Sequence, residues 1–330
     1  MKFVIVGLGS MGKRRLRNLE ALGYSEVCGV EVSQERIRYA DQSLGLRVYP
    51  DLELAINEES PDLVVICTPP DRHIEAIEIC RKMNVGCFVE ASVVGGEKLR
   101  PLLNTEGSVV IPSATMMFSE GPKLLREILS NSVIGEPLYI NYQVGQYLPD
   151  WHPWESINDY YVSNRATGGA REIVAFELVW LSKLFGSLTP VSCQKGNLKS
   201  RIEADIDSYY HCSFKSDSGI CLNLTIEVLA RPQALRMLTL VGSEGAIIWD
   251  HTTKTVRHFS SASESKTILL HAGTAAPGYV NPEEPYIDEL RCAIDQLKFP
   301  NKLIFPHNVK ADVEILELIV QIDGMAEDVS

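Results

Sequence analysis

The run Gly7-Leu8-Gly9-Ser10-Met11-Gly12 sets three glycines at the spacing G-x-G-x-x-G. It follows the apolar stretch Lys2 to Val6 and precedes Leu16, Leu19 and Leu22 at helical spacing, so it sits between a strand and a helix. Each glycine then has a task. Gly7 permits the tight turn, Gly9 lets the backbone approach a pyrophosphate, and Gly12 lets helix and strand pack closely. The helix start at Ser10 and Met11 brings backbone N–H groups and a partial positive charge toward phosphates. Glu31 closes the next strand-like run, 19 residues after Gly12. A carboxylate there accepts hydrogen bonds from an adenosine ribose and repels a 2′-phosphate, which favours NAD over NADP. Arg36 and the basic helix start bear on that choice from nearby.

Further along lie side chains suited to proton handling and to polar recognition. Asp150, Trp151, His152 and Trp154 share a proline-punctuated loop. Tyr160, Tyr161 and Arg165 precede the pair Gly168-Gly169. Arg171, Glu172 and Glu177 fall on the helix-like stretch that follows. Carboxylates, histidine and arginine on one such stretch can act as acid, base and anion-binding groups. Each also has a plainer reading. Glu172 also reads as a complement to the helix dipole, Glu177 as a partner of a buried arginine or backbone donor, Arg171 as a structural ion pair, and His152 as a surface loop residue. Lys13-Arg14-Arg15 and Arg17 read as a solvated helix face or as help in holding a phosphate-bearing ligand.

These residues need elements to hold them. Strand-like runs Lys2 to Val6, Glu26 to Glu31, Leu63 to Cys67, Gly86 to Val89 and Val109 to Ile111 alternate with helical segments, including one from Ser33, a plausible N-cap, and one from Asp71 to Met83. That alternation predicts a doubly wound parallel sheet. Past about residue 118 strands dominate: Leu138 to Val144, Tyr209 to Phe214, Ile220 to Val228 and Leu235 to Val241, with helices over Gly121 to Leu129, Gly168 to Phe185, Glu283 to Leu297 and Val309 to Met325. The fold class is therefore α/β, an N-terminal Rossmann domain (1–118) with a C-terminal α+β domain (119–330) built on an open, mainly antiparallel sheet.

The chain has 330 residues, 45% of them hydrophobic and 22% charged, enough for two domains with ordinary cores. A net charge of −12 argues against nucleic-acid binding. No apolar run reaches the roughly 18 residues of a membrane span, and the opening apolar run meets glycines too soon for a signal peptide. The eight cysteines form no Cys-x-x-Cys pair and no zinc set. They read as small core residues of a cytoplasmic protein, with no metal expected.

Taken together, the glycine fingerprint, Asp62-Leu63-Val64-Val65-Ile66-Cys67-Thr68-Pro69-Pro70-Asp71-Arg72-His73 and Gly86-Cys87-Phe88-Val89-Glu90 resemble the Gfo/Idh/MocA (glucose–fructose oxidoreductase) family. The likeness continues through Ile134-Gly135-Glu136-Pro137, Gly168-Gly169 and Leu240-Val241-Gly242-Ser243-Glu244-Gly245. It implies a nicotinamide-dependent oxidoreductase of sugar-type substrates, whose open sheet forms a homodimer or homotetramer. It places Thr68 and Pro69 at the cofactor crevice with His73 in its shell, and Glu90 near the nicotinamide ribose. The segment Tyr147 to Trp154 resembles a branch found in bacterial surface-glycan and nonulosonate biosynthesis, which makes Asp150, Trp151 and Trp154 substrate candidates; Tyr160, Tyr161 and Arg165, ahead of the paired glycines, join them as residues that can reach a sugar or its phosphate.

Two positions depart from the family. Its Glu-Lys-Pro motif reads Glu90-Ala91-Ser92 here, and its catalytic histidine aligns with Phe176. Neither alanine nor phenylalanine transfers a proton. Either Glu172, Glu177, His152 and Arg171 supply the chemistry, or the protein is a non-catalytic NAD and sugar sensor or assembly partner. A third reading is internal redox, in which NAD is transiently reduced during an epimerisation or elimination.

Overall fold

The structure, a computed structural model, describes residues 1–104, 107–152, 155–198, 202–261, 264–271, 273–279, 281–300 and 302–328. The chain divides into two compact units. The first comprises Met1–Thr115, Thr274–Ala276 and Asn281–Glu314, and the second Met116–Gly273, Pro277–Val280 and Ile315–Ser330.

Among the described residues, six parallel strands form the sheet of the first unit: β1 (Phe3–Val6), β2 (Val27–Val30), β3 (Val48–Tyr49), β4 (Leu63–Ile66), β5 (Gly86–Val89) and β6 (Val110–Pro112). Their order is β3-β2-β1-β4-β5-β6, a doubly wound Rossmann sheet. Every residue of β1, β4 and β5 is buried. A parallel sheet covered on both faces needs such continuous apolar strands. Helices α1 (Ser10–Ala21), α2 (Gln34–Leu44), α3 (Leu52–Glu59), α4 (His73–Lys82) and the short α5 (Gly96–Leu99) join the strands. Ser33 caps α2 by accepting from the Arg36 N–H, as its position predicts. Helix α3 is not among the segments expected from the sequence, although Asp51 caps it by accepting from the Leu54 N–H at 2.8 Å. The neighbouring β3 has only two residues, too few to show a period.

The second unit contains α6 (Glu120–Ser130), α7 (Ala170–Phe185) and a sheet of nine strands among the described residues. These are β7 (Pro137–Gly145), β8 (Leu188–Gly196), β9 (Tyr209–Ser216), β10 (Cys221–Glu227), β11 (Leu235–Gly242), β12 (Gly245–Asp250), β13 (Thr255–Ser260), β14 (Lys266–Leu269) and β15 (Glu327–Asp328). The order is β14-β13-β12-β11-β7-β10-β9-β8-β15. Only the β7–β10 and β8–β15 pairs are parallel, and the sheet stays open. Along β7, Ile140, Tyr142 and Val144 are buried while Tyr139, Asn141 and Gln143 are exposed, the alternation of a sheet with one covered face. Tyr142, Trp180 and Trp249 form an aromatic centre behind it. Gly121 opens α6 against that centre, where a Cβ would lie 2.3 Å from a Trp249 ring carbon.

Helix α8 (Glu284–Lys298) belongs to the first unit and packs on α1. Of α9 (Val309–Met325), the residues to Glu314 belong to the first unit and the rest to the second. No helix among the described residues is long and apolar enough to cross a membrane.

Candidate functional site

The glycine loop lies between β1 and α1, beside the point where strand order reverses from β1 to β4. Gly7 has φ +87°, and a Cβ on it would meet the Cys67 carbonyl at 3.0 Å. Gly12 is more constrained still, since a Cβ there would fall 2.0 Å from the Gly7 carbonyl oxygen. Around Gly9 the nearest atom to such a Cβ is Arg36 Nη1 at 3.7 Å, which leaves room for a pyrophosphate. The start of α1 at Ser10, Met11 and Gly12 carries no acidic residue in its first turn, so its positive end is not neutralised locally.

Glu31 follows β2 and is buried, 5% exposed. Its Oε2 accepts from the Leu8 N–H at 2.9 Å, and its Oε1 accepts from the Val32 and Ser33 N–H groups at 2.8 and 2.9 Å. The carboxylate thus shapes the glycine loop as well as standing where a ribose would lie. Arg36 Nη1 is 3.8 Å from Oε2.

Thr68 and Pro69 follow β4, and the Thr68 hydroxyl is enclosed with no hydrogen-bond partner. His73 begins α4, with Nε2 2.9 Å from the Thr68 carbonyl oxygen and Nδ1 3.3 Å from Ser92 Oγ. That carbonyl can only accept, so Nε2 carries the proton and Nδ1 accepts from the serine. Burial pushes His73 down to about 4, despite the raising effect of the Thr68 contact. It is a neutral strut that holds the Thr68-Pro69 turn. Bare glycine backbone, an acceptor at Glu31 and an unpartnered hydroxyl at Thr68 together suit a dinucleotide.

Glu90 follows β5, as the resemblance implies, but Arg15 holds its carboxylate. Arg15 Nε lies 2.5 Å from Oε1 and Nη2 3.2 Å from Oε2. Arg15 also reaches Glu289 of α8 at 2.7 Å, and Glu289 accepts from Ser113, Thr115 and the Ala114 N–H. Arg14 pairs with Glu283 at 3.0 Å. The expectation of a solvated or phosphate-holding basic face is therefore corrected at these two positions. Arg14 and Arg15 are 4% and 0% exposed, Arg14 tied to Glu283 at the N-cap of α8 and Arg15 to Glu90 and to Glu289 within α8. Nothing in the local helical pattern signals partners some 270 residues away.

In the second unit, Gly168 and Gly169 allow the Tyr161–Ser163 3₁₀ turn to pack against the start of α7. A Cβ on Gly168 would fall 2.2 Å from the Val162 carbonyl oxygen, and Gly169 has φ +63°. The Gly169 N–H donates to the Val162 carbonyl and the Thr167 hydroxyl to the Tyr161 carbonyl. This packing brings the Tyr161 hydroxyl 2.8 Å from Glu172 Oε1. Glu172 is half-buried as a residue, yet its Oε2 is enclosed and has no hydrogen-bond partner. Burial drives its pKa up to about 7, against the lowering effect of the Tyr161 hydroxyl. Tyr160 lies alongside, stacked on His152 at 4.7 Å and edge-on to Tyr161 at 6.0 Å. Its hydroxyl is enclosed and unpartnered, as is Trp151 Nε1 in the preceding loop. His152 Nδ1 is 2.7 Å from Glu155 Oε1, and Asp150 is exposed. Trp154 lies outside the described residues.

Other expected site residues are engaged elsewhere. Glu177 is 0% exposed, accepts from the Tyr142 hydroxyl (2.7 Å) and Trp180 Nε1 (2.6 Å), and pairs with Arg236 at 2.8 Å. Its expected catalytic role is corrected, because an enclosed, paired carboxylate reaches no substrate. Arg171 pairs with Asp323 at 3.1 Å and donates to the Ala166 carbonyl, and Arg165 pairs with Asp205 and Asp207. These arginines serve an ion-pair network with Lys195. Elsewhere, a cavity of about 360 Å³ in the first unit, lined by Val109, Ile111, Phe305 and His307 among others, includes none of the candidate residues.

Comparison with known proteins agrees with this geometry. Residues 1–91 match the Gfo/Idh/MocA oxidoreductase family model with an NAD-binding Rossmann fold, and residues 123–248 match the Gfo/Idh/MocA C-terminal domain. The chain belongs to the Gfo/Idh/MocA family of oxidoreductases, and its first unit carries that family's NAD-binding domain. Myo-inositol 2-dehydrogenase of Thermotoga maritima is 26% identical over 143 residues, a match spanning 42% of this chain and 43% of the relative. An oxidoreductase from Agrobacterium radiobacter, solved with NAD⁺, L-tartaric acid and magnesium, superposes with a TM-score of 0.83 at 11% identity, covering 98% of this chain and 96% of that one. Levoglucosan dehydrogenase, solved with NADH and levoglucosan, gives 0.81 at 13% identity over 98% and 97%. UDP-N-acetylglucosamine 3-dehydrogenase GnnA from Acidithiobacillus ferrooxidans gives 0.75 at 15% identity over 99% and 98%. At such identities these structures share the fold.

Proposed function

We propose that this chain is an NAD-dependent dehydrogenase of a sugar, sugar phosphate or nucleotide sugar, with Glu172 as its proton-handling residue. The observation that carries the reading is the enclosed Glu172 carboxyl, poised near neutrality with one oxygen held by Tyr161 and the other unpartnered. A general acid or base works best when its pKa lies near the working pH. Bound NAD supplies the hydride acceptor. Ionised Glu172 takes the proton of the carbinol hydroxyl through Oε2, and protonated Glu172 returns it to the carbonyl in the reverse direction. Tyr161 fixes the carboxyl and stabilises its ionised form. Glu172 thereby substitutes for the family lysine and histidine, whose places Ala91 and Phe176 occupy. Gly7, Gly9, Ser10, Met11 and Gly12 take the pyrophosphate, Glu31 the ribose, and Thr68 and Pro69 the crevice wall, with His73 and Glu90 behind them.

We place the reaction in surface-glycan biosynthesis and the protein in the cytoplasm as a homodimer or homotetramer. The nucleotide-sugar dehydrogenase among the structural neighbours supports the first, and eight free thiols the second. Exposed Tyr139, Leu235, Met237 and Val241 on neighbouring strands β7 and β11 support the third. Near-ultraviolet absorbance of reduced nicotinamide, read with sugars, sugar phosphates and nucleotide sugars, tests the activity. Substrate-dependent reduction that Glu172→Gln suppresses while NADH still binds is the expected result. Binding of NADH and sugar without turnover would favour the non-catalytic reading that Ala91 and Phe176 motivate.

A further inference from the structure

The geometry points to Cys193 and Cys212 as a redox-active dithiol, a modification site at which hydrogen peroxide oxidises the pair to an intramolecular disulfide.

The two cysteines stand directly opposite each other on the antiparallel strands β8 and β9. Opposite residues on such strands have Cα atoms about 4.5–5.5 Å apart, inside the range that a disulfide bridges. Both side chains are buried, and their sulfurs are already 3.2 Å apart. A disulfide needs about 2.0 Å, so the sulfurs must approach by only about 1.2 Å, with no change in strand register.

The two thiols differ in character. Cys212 donates its S–H to the Cys193 sulfur. That hydrogen bond lowers the Cys193 pKa, with help from the Lys195 ammonium two residues along β8, against burial and the charges of Asp323 and Asp207. Burial instead pushes the Cys28, Cys67 and Cys292 thiols up. Cys193 is therefore the sulfur that ionises, and Cys212 the one that keeps its proton.

Cys193 and Cys212 are 3% and 0% exposed, so a small oxidant reaches them through local opening. Their position suits this. The outermost strand β15 covers β8 only at Gln194 and Lys195, which leaves β8 as the sheet edge at Cys193 among the described residues. Edge segments open at lower free energy than interior ones. Cys80 and Cys87 also meet, but β5 is held between β4 and β6.

The chemistry balances with peroxide alone. The Cys193 thiolate attacks one peroxide oxygen, the O–O bond breaks, and the departing hydroxide takes a proton to leave as water. Cys193 is then a sulfenic acid. The Cys212 sulfur attacks it, the S–S bond forms and the S–O bond breaks. The Cys212 proton leaves with that hydroxide as a second water. Two thiols lose two electrons, and the peroxide gains them. The product ties β8 to β9 and closes a loop that contains Asp207. The Asp207 carbonyl accepts from the Ala170 N–H at the start of α7, and its carboxylate holds Arg165. Oxidation thus pins the segment on which the Gly168–Gly169 turn packs. In a reducing compartment such a bond is transient, as in redox sensing.

The test treats the full chain with hydrogen peroxide until exposed Cys221 is oxidised. Remaining thiols are then blocked with iodoacetamide, and the unreduced digest is read by mass spectrometry. A Cys193–Cys212 cross-linked peptide, lighter by two hydrogens and released by dithiothreitol, is the expected result. Cys212→Ser should stop at a Cys193 sulfenic acid that dimedone traps, at least about tenfold more than it traps Cys212 in Cys193→Ser. Both cysteines blocked as free thiols in the wild-type digest would overturn the inference. So would cross-links that join either one to another cysteine instead. Equal dimedone trapping in the two variants would overturn Cys193 as the attacking sulfur.

Discussion

The Tyr161 hydroxyl donates a 2.8 Å hydrogen bond to Oε1 of Glu172, while Oε2 of the same carboxyl has no hydrogen-bond partner. One oxygen is anchored and the other is left available, which suits a group that must present a proton in a fixed direction. Glu172→Gln keeps the shape and removes the titration. Its turnover is expected to fall by about 10²–10⁴ with NADH affinity unchanged. In the wild type, substrate oxidation should rise with pH through about 7, as Glu172 ionises. A pH–rate profile of both proteins checks this, and a profile flat across neutrality would remove Glu172 from the role.

The same carboxyl sets a stability trend. Its folded pKa is raised from 4.5 to about 7 by burial, so folding favours the protonated form. The contribution is fully present below pH 4.5 and is lost as pH rises through about 7, up to about 3 kcal/mol. Thermal melts of Glu172→Gln should therefore match the wild type near pH 5 and exceed it at pH 8.

His73 works in the opposite sense. Burial lowers its pKa from 6.5 to about 4, so the folded chain favours the neutral ring. Its contribution is present above pH 6.5 and is lost as pH falls through about 4. His73→Gln should flatten the acid side of the stability profile between those limits. Denaturant titrations at several pH values read this directly.

Arg15 is 0% exposed between Glu90 and Glu289. Replacing it with methionine fills much of the volume but leaves two buried carboxylates unpaired. The expected cost is about 3–5 kcal/mol in chemical denaturation. Glu289→Gln, whose one amide oxygen still accepts from Ser113 and the Ala114 N–H, should cost less.

Glu31 gathers the N–H groups of Leu8, Val32 and Ser33. Glu31→Ala is expected to weaken NADH by at least about tenfold, because it removes the ribose acceptor and loosens the glycine loop together. Titration of nicotinamide fluorescence measures it. Glu31→Gln should lie between the two proteins.

The sequence by itself determined the Rossmann half, the dinucleotide loop and the open antiparallel sheet. Those features are written in short-range patterns. Glycine at Gly7 and Gly12 is demanded by backbone contacts within the strand–loop–helix unit and to the neighbouring strand, and the runs Phe3–Val6 and Leu63–Ile66 are apolar because both faces of their sheet are covered. It also brought out Glu172 and the Tyr160–Tyr161 pair as candidates, but not which of the acidic and basic side chains would be free to act. That was decided only by tertiary structure. Glu172 and Glu177 lie five residues apart on one helix, yet one keeps an oxygen without a hydrogen-bond partner and the other is closed in by Tyr142, Trp180 and Arg236. Arg15 and Arg171 were read from their own helices, while their partners Glu289 and Asp323 stand 274 and 152 positions away. A charged side chain takes its role from the charge and solvent around it, and in a folded chain those come from segments that no local spacing names.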